Sequence, residues 1–189
     1  MFYAKSASNN SSCLSRQVGA SIVDSQGNLL STGWNDVPKF GGNLYKDSDS
    51  KDDRCFLKRY CTNDKEKDIL TDNISEILLS DQSIKELFTE NNLFNVAKFD
   101  EFKSKIRNSK VKDLIEFSRS VHAEMHAIVL GSQITGSQMI GGKLFCTTYP
   151  CHNCARHIIL AGIKEVYYIE PYVKSLCLKL HNDSITEDE

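Results

Sequence analysis

Two short motifs in the chain bring together residue types that bind metal and move protons. The first is His122-Ala123-Glu124 and the second is Pro150-Cys151-His152-Asn153-Cys154. One imidazole and two thiolates offer three ligands to a tetrahedral ion and leave its fourth position for water. That is the arrangement of a catalytic zinc rather than a structural one. Cys151 and Cys154 are three residues apart, so one helical turn sets both sulfurs on the same side. The dipole and free N–H groups of a helix start favour their thiolate forms. Glu124, two residues beyond His122, can lie beside the ion's water without being a ligand, where a carboxylate serves as general acid and base. Each piece alone has a plainer reading. A lone C-x-x-C fits structural zinc or redox exchange equally well, and H-x-E recurs by chance. His152 reads as a surface side chain rather than a fourth ligand.

These side chains need elements that converge on them. A helix is expected over about 121–131, opening after Ser120 and closing at Gly131. A second is expected over about 151–161, with Pro150 at its start and Gly162 just past its end. Strands at Lys143–Thr148 and Glu165–Ile169 flank that second helix, and so short a connection implies parallel neighbours. Upstream, residues 18–23 and 29–34 read as a β-hairpin around the turn Asp24-Ser25-Gln26-Gly27-Asn28. A helix is the reading for about 3–15, against its Ser and Asn content. Pro38, Gly41, Gly42 and the charged run at 46–53 mark a surface excursion, after which residues 66–120 carry helical periodicity. Residues 1–189 are therefore expected to form a single α/β domain, a mixed sheet with helices on its faces. Residues 40–118 or so are its loop and helical insertion. No internal repeat appears.

Bulk composition narrows the function classes. Lys and Arg number 23 against 25 Asp and Glu, a net charge of −2, which argues against a dedicated nucleic-acid binder. A small anionic substrate needs only one or two local cations. No apolar run approaches the roughly 20 residues of a membrane helix, and Met1-Phe2-Tyr3-Ala4-Lys5 does not open a signal peptide. A cytoplasmic protein without membrane contact is expected. Seven cysteines at irregular spacing then read as reduced thiols rather than a disulfide framework. Cys13, Cys146 and Cys177 fall in apolar surroundings and read as small core residues. Cys55 and Cys61 have no nearby His and read as loop residues rather than a second metal site.

The two motifs together, in this order and each at a helix start, match the H-x-E…P-C-x-x-C signature of zinc deaminases. The chain resembles the cytidine and deoxycytidylate deaminase superfamily, and within it the deoxycytidylate branch. Arg16-Gln17-Val18-Gly19-Ala20 and Gly33-Trp34-Asn35-Asp36-Val37-Pro38 are similar to that branch's R-x-V-G-A and G-Y-N-G-M-P segments. The resemblance is closer still to the deaminase domain of bacterial anti-phage enzymes acting on the dCTP/dCMP pool. It is carried there by residues 146–157 and 168–176, by the Arg54-Cys55 region and by the inserted helices.

The resemblance implies a three-layer α/β/α sandwich, one catalytic Zn²⁺ and a deoxycytidine nucleotide as substrate. Water attacks C4 of the cytosine ring, and Glu124 carries its proton to the ring nitrogen and then to the amine, which leaves as ammonia. The resemblance also implies that Asn35 bonds the sugar hydroxyl and that Ala123 and Tyr149 contact substrate. Arg16 is a candidate phosphate contact or else a strand-edge surface charge. Tyr172 and Lys174, just past the last strand, suit base stacking and phosphate contact, the alternatives being packing and solvation. A homo-oligomer, dimer or hexamer, is implied as well.

Departures bear on how far this carries. The anti-phage proteins have a P-loop domain, and G-x-x-x-x-G-K-[ST] occurs nowhere here. A fragment, a split-gene product or an isolated deaminase domain is therefore expected. His126 stands where deoxycytidylate deaminases often have Asn, and a packing or supporting role is expected for it. A polynucleotide deaminase would want basic, aromatic-rich loops, which the insertion lacks. A redox protein would not need His122 and Glu124, and a non-catalytic scaffold would have lost one of them.

Overall fold

A computed structural model describes residues 1–187. In chain order its elements are α1 (Phe2–Ser8), β1 (Gly19–Val23), β2 (Leu29–Trp34), α2 (Cys55–Lys58), α3 (Thr62–Leu79) and α4 (Gln82–Glu86). There follow β3 (Thr89–Glu90), β4 (Leu93–Phe94), α5 (Val96–Asn108), α6 (Ala123–Thr135), β5 (Lys143–Thr148), α7 (His152–Leu160), β6 (Glu165–Glu170) and α8 (Cys177–Leu180). Two compact units result. One comprises Met1–Arg59 together with the chain from Arg119 onward, and the other is Tyr60–Ser118. Of the segment 40–118 read as an insertion, residues 40–59 pack with the first unit.

The first unit is built on a sheet of order β2-β1-β5-β6. β1 runs antiparallel to β2 and to β5, and β5 runs parallel to β6 through the α7 crossover. The sheet is mixed, as the strand spacing predicts. Two glycines show how helices cover it. A Cβ on Gly19 would strike Ala4 O at 2.0 Å and Ser8 N at 2.5 Å in α1, and one on Gly33 would strike Ala123 O and Ala127 N of α6, each at 2.4 Å. Gly33 pairs with Ala20, so it shares a face with Ala20 and opposes Gly19. α1 and α6 therefore lie on opposite faces, giving three layers. Ala20, Ile22, Leu144 and Cys146 line the face of the sheet that α6 covers, each fully buried.

Two helix ends differ from expectation. α6 does not close at Gly131 but continues to Thr135. Gly131 is an interior close-packing position, since a Cβ there would come within 2.9 Å of both Ser31 Oγ and Met139 Sδ. α1 stops at Ser8 rather than near residue 15 because Ser11 and Ser12 are taken by partners on the segment after β2. No helix among the described residues is long and apolar enough to cross a membrane.

The second unit pairs α3 with α5 and adds a two-stranded hairpin, β3 with β4, which periodicity alone does not reveal. Asn91 and Asn92 form its turn with φ of 51° and 64°, the left-handed pair that a type I′ hairpin requires. Phe88, Phe94, Phe99 and Phe102 make a cluster with ring centroids 5.3 to 6.5 Å apart. Arg107 ties α5 to Asp68 of α3 at 2.6 Å, and Lys103 reaches Asp72 at 2.7 Å.

Candidate metal and catalytic site

The two motifs meet at the starts of α6 and α7. His122 and Cys151 are the capping residues of these helices, in extended backbone just before the first turn. Cys154 then lies at the third helical position of α7. A capping side chain and the third residue lie one above the other, which is why the sulfurs converge although only one is inside the helix. His122 Nδ1 is 3.3 Å from Cys151 Sγ and 3.3 Å from Cys154 Sγ. The three donor atoms all lie within 4.8 Å of one another, close enough to share one ion at bond lengths of about 2.0–2.3 Å. Two sulfurs and an imidazole are a zinc-type donor set, and the residues present fit that ion.

The electrostatics fit as well. The Cys154 thiol beside it draws the Cys151 thiol well below its ordinary value; burial opposes this and the His122 imidazole reinforces it. Cys154 is pushed up by that same hydrogen bond and by burial, with Glu124 adding to the effect. Burial pulls the His122 imidazole down, but the Cys151 thiolate outweighs it and the net shift is upward. Glu124 is 4% exposed, and burial raises its carboxyl pKa, with His122 and Cys154 near enough to oppose the rise in part. A buried carboxyl next to metal donors, yet outside the donor cluster, is placed to exchange protons rather than to ligate.

The remaining candidates divide. Ala123 is fully buried and begins α6, where first-turn N–H groups lack partners within the helix. The Asn35 side chain is largely engaged already. Its Oδ1 accepts from Val18 N at 2.7 Å and Ser11 Oγ at 2.9 Å, and its Nδ2 donates to Arg16 O at 2.8 Å. One amide hydrogen is left for a ligand. Arg16 is half-exposed in the loop before β1, 3.5 Å from Glu170. It lines a cleft of about 580 Å³ with Lys5, Gln17, Thr147, Thr148 and Glu170 at the carboxyl ends of β5 and β6. Tyr149 donates its N–H to Glu170 O at 2.8 Å, its hydroxyl meets the Cys177 thiol at 2.8 Å, and its ring packs edge-on against Tyr168. Tyr172 is half-buried and Lys174 exposed in the turn after β6, neither among the residues lining that cleft.

Ser175 and Asp36 escaped the sequence reading, while His126 was expected only to pack or support. Ser175 donates to Pro150 O at 2.7 Å and steadies the turn into Cys151. His126 accepts the Trp34 N–H at Nδ1, 3.2 Å, while its buried Nε2 has no protein partner among the described residues. Burial lowers the His126 pKa. Asp36 is fully buried and ties two segments together. Nothing in the spacing of these residues signals their contacts, because each partner lies 24 or more residues away.

The family description "Cytidine and deoxycytidylate deaminase zinc-binding region" matches residues 1–170. A deoxycytidylate deaminase of Enterobacteria phage T2 is 28% identical over 168 residues, covering 89% of this chain and 76% of that protein. ComE operon protein 2 of Bacillus subtilis (strain 168) is 47% identical over 55 residues, and that match spans only 29% of each protein. Among solved structures, a dCMP deaminase from the cyanophage S-TIM5 in complex with dCMP and dUMP superposes with a TM-score of 0.51 at 22% identity. The likeness, one of fold, covers 100% of this chain and 93% of that one. With the match running through both motifs and 170 of 189 residues, the chain belongs to the cytidine and deoxycytidylate deaminase family.

Proposed function

We propose that the chain hydrolyses the exocyclic C–N bond of a deoxycytidine nucleotide, giving the deoxyuridine nucleotide and ammonia. The observation that carries this reading is the enclosed Glu124 carboxyl beside three convergent metal donors. His122, Cys151 and Cys154 would hold one zinc ion, which supplies the Lewis acidity that makes water nucleophilic near neutral pH. Glu124 takes the water's proton as oxygen joins C4, passes it to the ring nitrogen, and delivers a proton to the amine as the C–N bond breaks. Its burial-raised pKa suits a group that must both accept and return a proton. The free first-turn N–H of Ala123 orients the base, and the remaining amide hydrogen of Asn35 meets the sugar. Arg16 faces the phosphate from the cleft at the sheet's end, in competition with Glu170. Tyr149, Tyr172 and Lys174 belong to the same proposal as contacts at the rim.

Ammonia release from purified protein offered dCMP, dCTP, deoxycytidine and single-stranded DNA tests this reading, together with zinc content. Turnover of dCMP or dCTP is expected. Replacing Glu124 with Gln should cut it by about 10²–10⁴-fold while zinc stays near one per chain. Preference for dCTP would support the anti-phage role that the resemblance suggests, draining the deoxycytidine triphosphate pool. Turnover of DNA alone would overturn the nucleotide reading.

A further inference from the structure

Asp36 follows Asn35 in the segment just after β2. It is 1% exposed, and a buried carboxylate is stable only if its oxygens are satisfied. They are. Oδ2 accepts from Ser12 N at 3.1 Å and Ser12 Oγ at 2.7 Å, and Oδ1 accepts from its neighbour Val37 N at 2.8 Å. The backbone carbonyl of the same residue accepts Val121 N at 3.0 Å, one residue before His122. One residue thus grips the loop that carries Arg16 with its side chain and the entrance to α6 with its main chain.

We propose that Asp36 is a positioning residue, which fixes the 11–18 loop against the start of α6 through Ser12 and so sets the distance from the phosphate-facing Arg16 to His122 and Glu124. The role of Arg16 in this statement rests on the function proposed above. The grip itself rests on the hydrogen bonds alone. Asn35 holds the same loop further along, at Ser11, Arg16 and Val18. Without Asp36 the loop therefore keeps its path but loses its tie near Ser12.

The test compares Ser12→Ala, Ser12→Thr and Asp36→Gly by amide hydrogen exchange and by kinetics on dCMP and deoxycytidine. Ser12→Ala removes one hydrogen bond to a charged group, and a rise of about ten-fold in KM for dCMP is expected. The kcat should stay within about two-fold and zinc content unchanged. KM for deoxycytidine, which has no phosphate, should not move, and Ser12→Thr should restore the wild-type value. Exchange should quicken at residues 12–18 and at Val121 in Ser12→Ala and more so in Asp36→Gly. Wild-type exchange in both variants would overturn the proposal. So would an equal loss of kcat on both substrates with loss of zinc, which marks a role in stability alone. An Arg16→Ala control separates the two claims. If it leaves KM for dCMP unchanged, the phosphate reading of Arg16 fails and the exchange data alone decide the grip.

Discussion

The Tyr60–Ser118 unit and the unit that carries His122 both bury polar groups, but to different ends. In the helical unit, Thr71 donates to Lys67 O and Ser75 to Thr71 O, each four residues back in the same helix. Buried Lys67 reaches Lys112 O at 3.0 Å. The first two contacts are short in sequence and would form in the isolated helix, so they specify little beyond α3 itself. In the other unit the buried polar groups reach across the chain: Asp36 to Ser12, His126 to Trp34, Gly19 N to Thr147 Oγ1 over 128 residues. Glu124 is kept enclosed, and burial raises its carboxyl pKa. Contacts of that kind fix relative positions of distant segments, which a site needs and a helical pair does not. A unit centred on a phenylalanine cluster with a few long-range polar ties, such as Lys67 to Lys112, and a unit held by a network of such ties around a site should fail in different ways.

The largest expected effect breaks the helical unit. Phe88 is 7% exposed and touches Phe94, Phe99 and Phe102 with its ring, so Phe88→Ala should cost about 3–5 kcal/mol. Zinc content should be unaffected, because every donor lies in the other unit. Differential scanning calorimetry with zinc analysis on one sample checks both. Gly33→Ala attacks the site unit instead. Its Cβ would sit 2.4 Å from backbone atoms of α6, which cannot move as a flexible side chain can. A cost near the top of the usual overpacking range, about 3 kcal/mol, is expected. Because α6 carries His122 and Glu124, zinc affinity should fall as well. Retention of full zinc affinity in Gly33→Ala would show that α6 is less rigidly seated than this close contact requires.

How much of this was readable in the residues follows the same division. The donor set and its elements were legible because H-x-E and P-C-x-x-C encode their geometry locally, within a helical turn. β1, β2, β5 and β6 were legible from apolar runs bounded by turns. Gly131 misled, since a glycine after an apolar stretch serves equally as a helix stop or as a place where α6 presses on Ser31, and only the fold distinguishes them. The β3–β4 hairpin was in principle readable from Asn91-Asn92, two residues that tolerate left-handed backbone, but it sits inside a helical period that masks it. Asn35 was expected from the resemblance to meet the sugar, whereas its grip on Ser11, Arg16 and Val18 is tertiary and leaves no mark on spacing. Asp36 gave no signal of its own, because its tie to Ser12 is tertiary as well.

Ion pairs sharpen the comparison at its small end. In the site unit, Arg54 is 5% exposed, and Asp52, itself mostly buried, holds its guanidinium at both Nε and Nη2, with Asp47 adding a contact. That hydrogen-bonded arginine keeps the Asp52 carboxyl below its ordinary value, against the opposing effect of burial. Asp52→Asn leaves a buried cation with one exposed partner, and a loss of about 2–3 kcal/mol is expected at neutral pH. A depressed folded pKa means the stabilisation is complete above about pH 4, the unfolded value, and drains away as pH falls through the folded one. Urea unfolding of wild type and Asp52→Asn should therefore diverge at pH 7 and approach each other below pH 4. In the helical unit the counterpart is Arg107 with Asp68, at 2.6 Å but with Asp68 two-thirds exposed. Water screens that pair, so Arg107→Ala should cost less than about 1 kcal/mol and show little change over the same pH range. An Arg107 effect as large as that of Asp52 would mean the helical unit, too, depends on charge placed by its tertiary structure.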